Sequence, residues 1–213
     1  MIFRNYSDKI LNFASDMDTK GKKIILGSNS PRRKELLAKT GLAFDIIPAK
    51  GEETITKTIP SEVVMELSQH KAMEIAEKQT EDCIIIGADT IVAKGDVIMG
   101  KPKDEADAVR MLTALSGRDH QVMTGITVLR DQQELVHTEI TDIHFREFSD
   151  REIHAYIATK EPMDKAGSYG IQGGAALFAE KMAGDYSNVM GLPVCRLGQM
   201  LRTIAPELME ETV

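Results

Sequence analysis

The chain has 213 residues, enough for one large domain or two small lobes sharing a core. Hydrophobic residues make up 42% and charged residues 28%, the balance of a soluble globular protein, and no apolar run approaches the length of a membrane span. The 26 basic and 33 acidic side chains leave a net charge of −7, which argues against a long nucleic acid as main partner but leaves room for a small anion held by local cations.

Residues 1–20 lack the apolar core of a signal peptide and read as an N-terminal extension; residues 21–213 read as a single domain. Ile24-Ile25-Leu26 opens that domain as a buried strand over 24–27. Gly27-Ser28-Asn29-Ser30 forms a polar turn, and a helix over 31–40 follows, with Ser30 as N-cap and Pro31 in the first helical position. A helix N-terminus offers unpaired N–H groups and a partial positive charge. With the hydroxyls of Ser28 and Ser30 and the guanidinium groups of Arg32 and Arg33, this stretch suits a polyphosphate. An ordinary strand–turn–helix with solvated arginines fits it equally well.

Phe44–Ile47 reads as a second strand, and the polar loop 48–58 carries Glu52 and Glu53. Pro60 and Ser61 open a helix to about Lys78, with Val64, Leu67, Ala72 and Ile75 at helical spacing. Cys83–Ile86 is the next strand and ends in Gly87-Ala88-Asp89-Thr90. A hairpin over 91–99 follows, then the break Gly100-Lys101-Pro102, then a helix from the cap Asp104 to Leu115. Gln121–Leu129 and Glu134–Phe145 form a long antiparallel pair, and Ser149 caps a helix through Ala158. A glycine-rich loop over 165–174 carries Gln172. Ala176–Lys181 and Tyr186–Met190 read as short strands, and Pro193–Ile204 as a closing helix. This order predicts an α/β fold: a mixed, twisted sheet flanked by helices, with two lobes around a deep cleft. Cys83 and Cys195 sit in apolar contexts, so both are expected as buried thiols of a reducing compartment.

Several side chains stand where chemistry collects. Asp89 follows an apolar strand, as Ser28 does, and ligands of open α/β sheets gather beyond strand ends. With Glu52 or Glu53 it would make a hard oxygen site for Mg²⁺ or Mn²⁺; a capping aspartate and a solvated acidic loop are the simpler readings. Lys71 lies four residues from both Leu67 and Ile75, on the apolar side of its helix, so it either snorkels to solvent or enters a polar cavity. Lys101 stands in a proline-restrained loop. The Gln172 amide carries both donor and acceptor and could read the edge of a base. A Walker-type phosphate loop, zinc spacing among the five histidines and a Gly-x-Ser-x-Gly elbow are all missing.

Taken together, five segments carry a resemblance: Ser28-Asn29-Ser30-Pro31-Arg32-Arg33-Lys34-Glu35-Leu36-Leu37, Gly87-Ala88-Asp89-Thr90, Gly100-Lys101-Pro102, Leu115-Ser116-Gly117-Arg118, and Asp164 to Gly173. In this order and spacing the chain resembles the Maf family of nucleotide pyrophosphatases from about Ile24 onward. The resemblance implies a cytoplasmic, divalent-metal-dependent enzyme, commonly a homodimer, that cuts nucleoside triphosphates between the α and β phosphates. The Tyr169-Gly170-Ile171-Gln172-Gly173 form of the late loop implies the branch acting on dTTP and UTP, in nucleotide-pool house-cleaning. It also implies Asp89 as proton acceptor, Arg32, Thr90 and Gln172 as specificity positions, and Ser28, Arg33, Glu53, Lys71 and Lys101 as further cleft residues. Glu53 is favoured over Glu52 on register. A nucleotide-binding regulator of septum formation and a 7-methyl-GTP pyrophosphatase are the alternatives.

Overall fold

The computed structural model describes residues 22–80 and 82–208, so the extension over residues 1–20 lies outside the described residues. Its central element is β3 (Cys83–Lys94), which changes partners along its length. Ile84, Ile85 and Ile86 pair in parallel with β1 (Lys23–Leu26). On its other side β3 runs antiparallel to β5 (Asp119–Arg130) from Ile84 to Ala93. β1 ends opposite Ile86, and β4 (Val97–Met99) takes up the vacated side of β3 only from Val92. Among the described residues, positions 87–91 of β3 therefore have no strand on that side. β2 (Asp45–Ile46) adds in parallel to β1; β6 (Gln133–Phe145) and β7 (Ala179–Ala183) add antiparallel beyond β5. The result is a seven-stranded mixed sheet in the order β2-β1-β3-β5-β6-β7, with β4 off that path.

Successive residues of β1 and β3 face opposite sides, and both sides are covered where the two strands pair, so residues 24–26 and 83–86 are apolar throughout. Ile24, Leu26, Ile84 and Ile86 pack with α1 (Pro31–Ala38) and α6 (Val194–Ile204) through Leu37 and Leu201. On the opposite face Ile25 and Ile85 pack with Ala72 and Ile75 of α2 (Pro60–Ala76). A second large cluster joins Val92, Phe145 and Phe178 to α3 (Glu105–Leu115) and α4 (Asp150–Ala158) through Leu112 and Tyr156.

Two glycines set the seat of α2. A Cβ at Gly87 would lie 2.3 Å from the Ser68 carbonyl oxygen, and one at Gly125 would lie 2.0 Å from the Val64 carbonyl oxygen. Only residues without side chains let the helix backbone come so close to the strands. The Ser68 and Thr127 hydroxyls bond at 2.8 Å across the same contact.

The structure departs from the sequence reading in four places. Tyr186–Met190 is a helix, α5, not a strand: Asp185 caps it by accepting from the Ser187 N–H at 2.7 Å, and Gly191 ends it at φ 110°. Residues 174–177 form a 3₁₀ turn, and β7 begins only at Ala179. Asp89 lies inside β3 rather than past its end, because β5 keeps pairing after β1 has stopped. Cys83 is buried, but Cys195 is exposed on α6, so the expectation of two buried thiols is corrected for the second. Among the described residues, no helix is long and apolar enough to cross a membrane.

Candidate active site

A cleft of about 1250 Å³ opens where, among the described residues, positions 87–91 of β3 lack a strand neighbour on the side away from β5. The turn after β1 brings Ser28 and Ser30 to it, and the first turn of α1 brings Arg32 and Arg33. β3 supplies Asp89 and Thr90, α2 supplies Lys71, and the loop after β2 supplies Glu53. Lys101 reaches it from the loop after β4, and Gln172 from the glycine-rich loop. Every site residue singled out in the sequence thus lines one cleft, except Glu52, which is exposed and does not line it.

Lys71 is the hub of the acidic side. Its ammonium donates to Asp89 and lies 2.9 Å from Glu53 Oε1. Both Lys71 and Asp89 have side chains only 17% exposed, so this pair is well shielded from solvent. The close seat of α2 on Gly87 and Gly125 puts the lysine over Asp89, which turns an apparently misplaced cation on an apolar helix face into a cavity residue. Glu53 is held there by its loop. Glu74 accepts from the backbone N–H groups of Lys50 and Gly51, at 3.0 and 2.9 Å, and Glu66 accepts from the Thr56 N–H at 2.8 Å. Hydrogen bonding to Lys78 and to those two amides holds the Glu74 carboxyl down at about 2, and Thr56 likewise lowers Glu66. Two carboxylates two turns apart on α2 therefore tether both ends of the Glu53 loop.

Arg32 and Arg33 differ sharply. Arg33 Nε donates to the Gly191 carbonyl at 2.8 Å, Nη1 to Ser28 Oγ at 3.0 Å and Nη2 to Thr90 Oγ1 at 3.0 Å. Burial lowers its pKa, while Asp89 and Glu53 nearby favour the charge. It remains a guanidinium and acts as a cross-brace between the β1 turn, β3 and the end of α5. Ser28 Oγ also accepts from the Ser30 N–H at 3.2 Å, so Ser28 shapes the turn as well as facing the cleft. Thr90 continues the network through the Thr124 hydroxyl at 2.9 Å to the Asn188 carbonyl at 3.0 Å. Arg32 sits beside the cleft near Asp164, whose carboxyl is lowered first by its bond from Lys165 and further by the Arg32 charge. Gln172 is exposed to the cleft, and among the described residues no protein group hydrogen-bonds its amide.

Among the described residues, no set of three or more His, Cys, Asp or Glu side chains is arranged to hold a metal by protein groups alone. Glu53 and Asp89 nevertheless face one point, where Lys71 meets both. Two carboxylates that share a site with bound phosphate suit Mg²⁺, which keeps several waters and takes one or two carboxylates plus phosphate oxygens. The donor set fits that mode.

Sequence patterns did not single out Glu66, Glu74 or Glu161, and gave Lys165 and Tyr169 no role beyond membership of the late-loop motif, although Glu161, Lys165 and Tyr169 all line the cleft. Glu66 and Glu74 are eight apart and so share a helix side, but only the position of the loop shows what they hold.

The chain is similar to known proteins over most of its length. The family model described as Maf-like protein matches residues 23–204. A protein of Alkaliphilus oremlandii named dTTP/UTP pyrophosphatase is 50% identical over 184 residues, covering 85% of this chain and 95% of its own. One of the same name from Agathobacter rectalis is 50% identical over 202 residues, covering 87% and 98%, and one from Bacillus cereus is 48% identical over 182 residues, covering 85% and 89%. A solved chain titled "Structure of a HAM1 protein from Coxiella burnetii" aligns over 85% of this chain and 99% of its own, at 15% identity and a TM-score of 0.49.

Proposed function

The chain belongs to the Maf family, and on that premise we propose that it hydrolyses the α–β phosphoanhydride of dTTP, UTP and 5-modified pyrimidine triphosphates, releasing monophosphate and pyrophosphate. The observation that carries the proposal is the meeting of Asp89 and Glu53 at Lys71 in a cleft that also presents Arg32, Lys101 and Gln172. That arrangement puts anionic, cationic and base-reading groups around one substrate-sized space. The two apolar clusters are read as the two lobes that flank it.

In this reading the triphosphate lies against the first turn of α1 and the cations, with its base toward Gln172. A water oxygen bonds to one phosphorus of the anhydride as the bridging oxygen leaves with the other, and the Asp89 carboxylate takes the water's proton. Arg32, Lys71 and Lys101 meet the charge that develops on the phosphoryl oxygens. Glu53 and Asp89 would hold the divalent cation, Mg²⁺ or Mn²⁺, which when bound neutralises phosphate charge and lowers the pKa of its water. Uracil and thymine present two carbonyls and one N–H, a pattern that a carboxamide matches. A single methyl on the base separates substrates by only about 1–3 kcal/mol, so dTTP and UTP are both accepted where the site makes no hydrogen bond to the 2′-hydroxyl that UTP alone carries. Homodimer formation belongs to the same proposal and is read by light scattering.

The test is a panel of UTP, dTTP, CTP and 7-methyl-GTP with Mg²⁺ or Mn²⁺. Highest kcat/KM for UTP and dTTP is expected. Preference for 7-methyl-GTP, or binding of UTP without turnover across both metals, would contradict the proposal.

A further inference from the structure

Within the glycine-rich loop, the stretch 170–174 that bears Gln172 is fastened at both ends by two side chains outside it. The Gly170 N–H donates to the Tyr156 hydroxyl at 3.0 Å, and the Gly174 N–H donates to Glu161 Oε2 at 3.0 Å. The Tyr156 hydroxyl in turn donates to Glu161 Oε1 at 2.9 Å, so the two fastenings are one unit. Glu161 is itself fixed: its carbonyl accepts from Lys165 Nζ at 2.6 Å, and its N–H donates to Thr159 Oγ1 at 3.2 Å. Tyr156 is buried, with its ring edge-on to Phe178 at 5.6 Å. Burial pushes its phenol well up, which keeps the hydroxyl proton in place for Glu161.

The fit is close. A Cβ at Gly173 would lie 2.0 Å from Glu161 Oε1, and one at Gly174 would lie 3.0 Å from the Tyr156 ring. The loop glycines thus let the backbone close onto the carboxylate and the phenol. Within the loop the Gly173 N–H returns to the Gly170 carbonyl at 3.1 Å, so residues 170–173 form a tight turn whose tip carries Gln172.

We propose that Glu161 and Tyr156 form a latch that positions Gln172 and thereby sets the discrimination between pyrimidine bases. Neither residue needs to touch the nucleotide; both are positioning residues. The inference rests on the base-reading role proposed above for Gln172.

Two measurements test it, the first without substrate. Peptide-resolved hydrogen exchange over 170–174 is compared for the wild type, Tyr156→Phe, Glu161→Ala and Glu161→Gln. Loss of one latch bond is expected to speed exchange there by about tenfold in the first two variants. Glu161→Gln, which keeps one carbonyl acceptor and the side-chain shape, is expected to lie between them and the wild type. Second, kcat/KM is measured for UTP and CTP. The UTP preference is expected to fall by about tenfold through KM, with kcat for UTP within about twofold of wild type. In a Gln172→Ala background, Glu161→Ala should change the preference no further. Unchanged exchange overturns the latch itself. Faster exchange with an unchanged UTP preference, or an equal loss of kcat on both nucleotides, overturns its role in selection. If Gln172→Ala alone leaves the preference unchanged, the base-reading role fails and the selection role falls with it, whatever the exchange shows.

Discussion

At the scale of single residues, two adjacent arginines do different work. Neighbours on a helix point about 100° apart, so Arg33 turns into the protein and Arg32 stays at the cleft. The sequence groups Arg33 with Arg32 as a cation for a polyphosphate; it does not show that Gly191, 158 residues later, supplies one of the Arg33 acceptors. Arg33→Lys offers one compact donor group to three separated acceptors and should lower stability by about 2–4 kcal/mol in urea unfolding; an unchanged midpoint would show that the brace is not holding. Asp89 is the opposite case, since its place after Ile84-Ile85-Ile86 made it legible from sequence. Asp89→Asn should cut kcat by about 10²–10⁴ while the protein stays folded, because Lys71 keeps Glu53 as a partner. Full activity would remove Asp89 from the chemistry. His120 gives a prediction about pH. It is 2% exposed, bonds to the Tyr169 hydroxyl at 2.9 Å, and burial lowers its pKa from 6.5 to about 4. Between those values the unfolded chain binds a proton that the folded chain does not, so stability falls as pH falls. The depressed carboxyls of Glu74 and Glu152 contribute only below about 4.5, and His137, which is half-buried and has the same sign as His120, adds to the slope without replacing the His120 share. His120→Gln should therefore flatten the loss of thermal midpoint between pH 6.5 and 5; an unaltered slope would contradict the assignment.

At the scale of elements, α2 does most of the organising. Its lysine was visible as a charge on an apolar face, but its two loop tethers were not. Nothing in the sequence says where residues 50–57 run, so Glu66 and Glu74 look like solvated charges until the loop is placed. Glu74→Gln should speed amide exchange at residues 50–53 and slow turnover by freeing Glu53, with little change in thermal midpoint, since the tether is at the surface. Wild-type turnover together with a loosened loop would show that Glu53 needs no tether. The seat of α2 is a separate matter. Gly125→Ala must displace the Val64 carbonyl, and overpacking of this kind costs about 3 kcal/mol. It should also lower activity by lifting Lys71 from Asp89. Elsewhere the elements themselves were read well where caps were plain: Ser30, Asp104 and Ser149 all cap helices where expected. Residues 186–190 misled because five residues are too few to show a period, and the informative signals were the flanking Asp185 and Gly191.

Over the whole molecule, the net charge of −7 and an anionic substrate are reconciled by placement. Arg32, Lys71 and Lys101 come from three separate elements and gather where the sheet changes character. On one side of β3 the parallel neighbour stops at Ile86 and the hairpin partner starts at Val92. This gap makes the cleft, and it obeys the rule that ligands of α/β sheets lie beyond strand ends. The mixed sheet and the places of Ser28 and Asp89 were readable because each follows a recognisable apolar run, whereas Glu53, Lys71, Lys101 and Gln172 were joined to them in one cleft through the resemblance. The gap was not, because strand order and the continuation of β3 against β5 depend on pairing between distant segments. The central claim is cleavage between the α and β phosphates. Phosphorus NMR of the products of UTP hydrolysis in the presence of Mg²⁺ tests it most directly: the account predicts uridine monophosphate and pyrophosphate in equal amounts from the first turnovers, whereas uridine diphosphate with orthophosphate would contradict it.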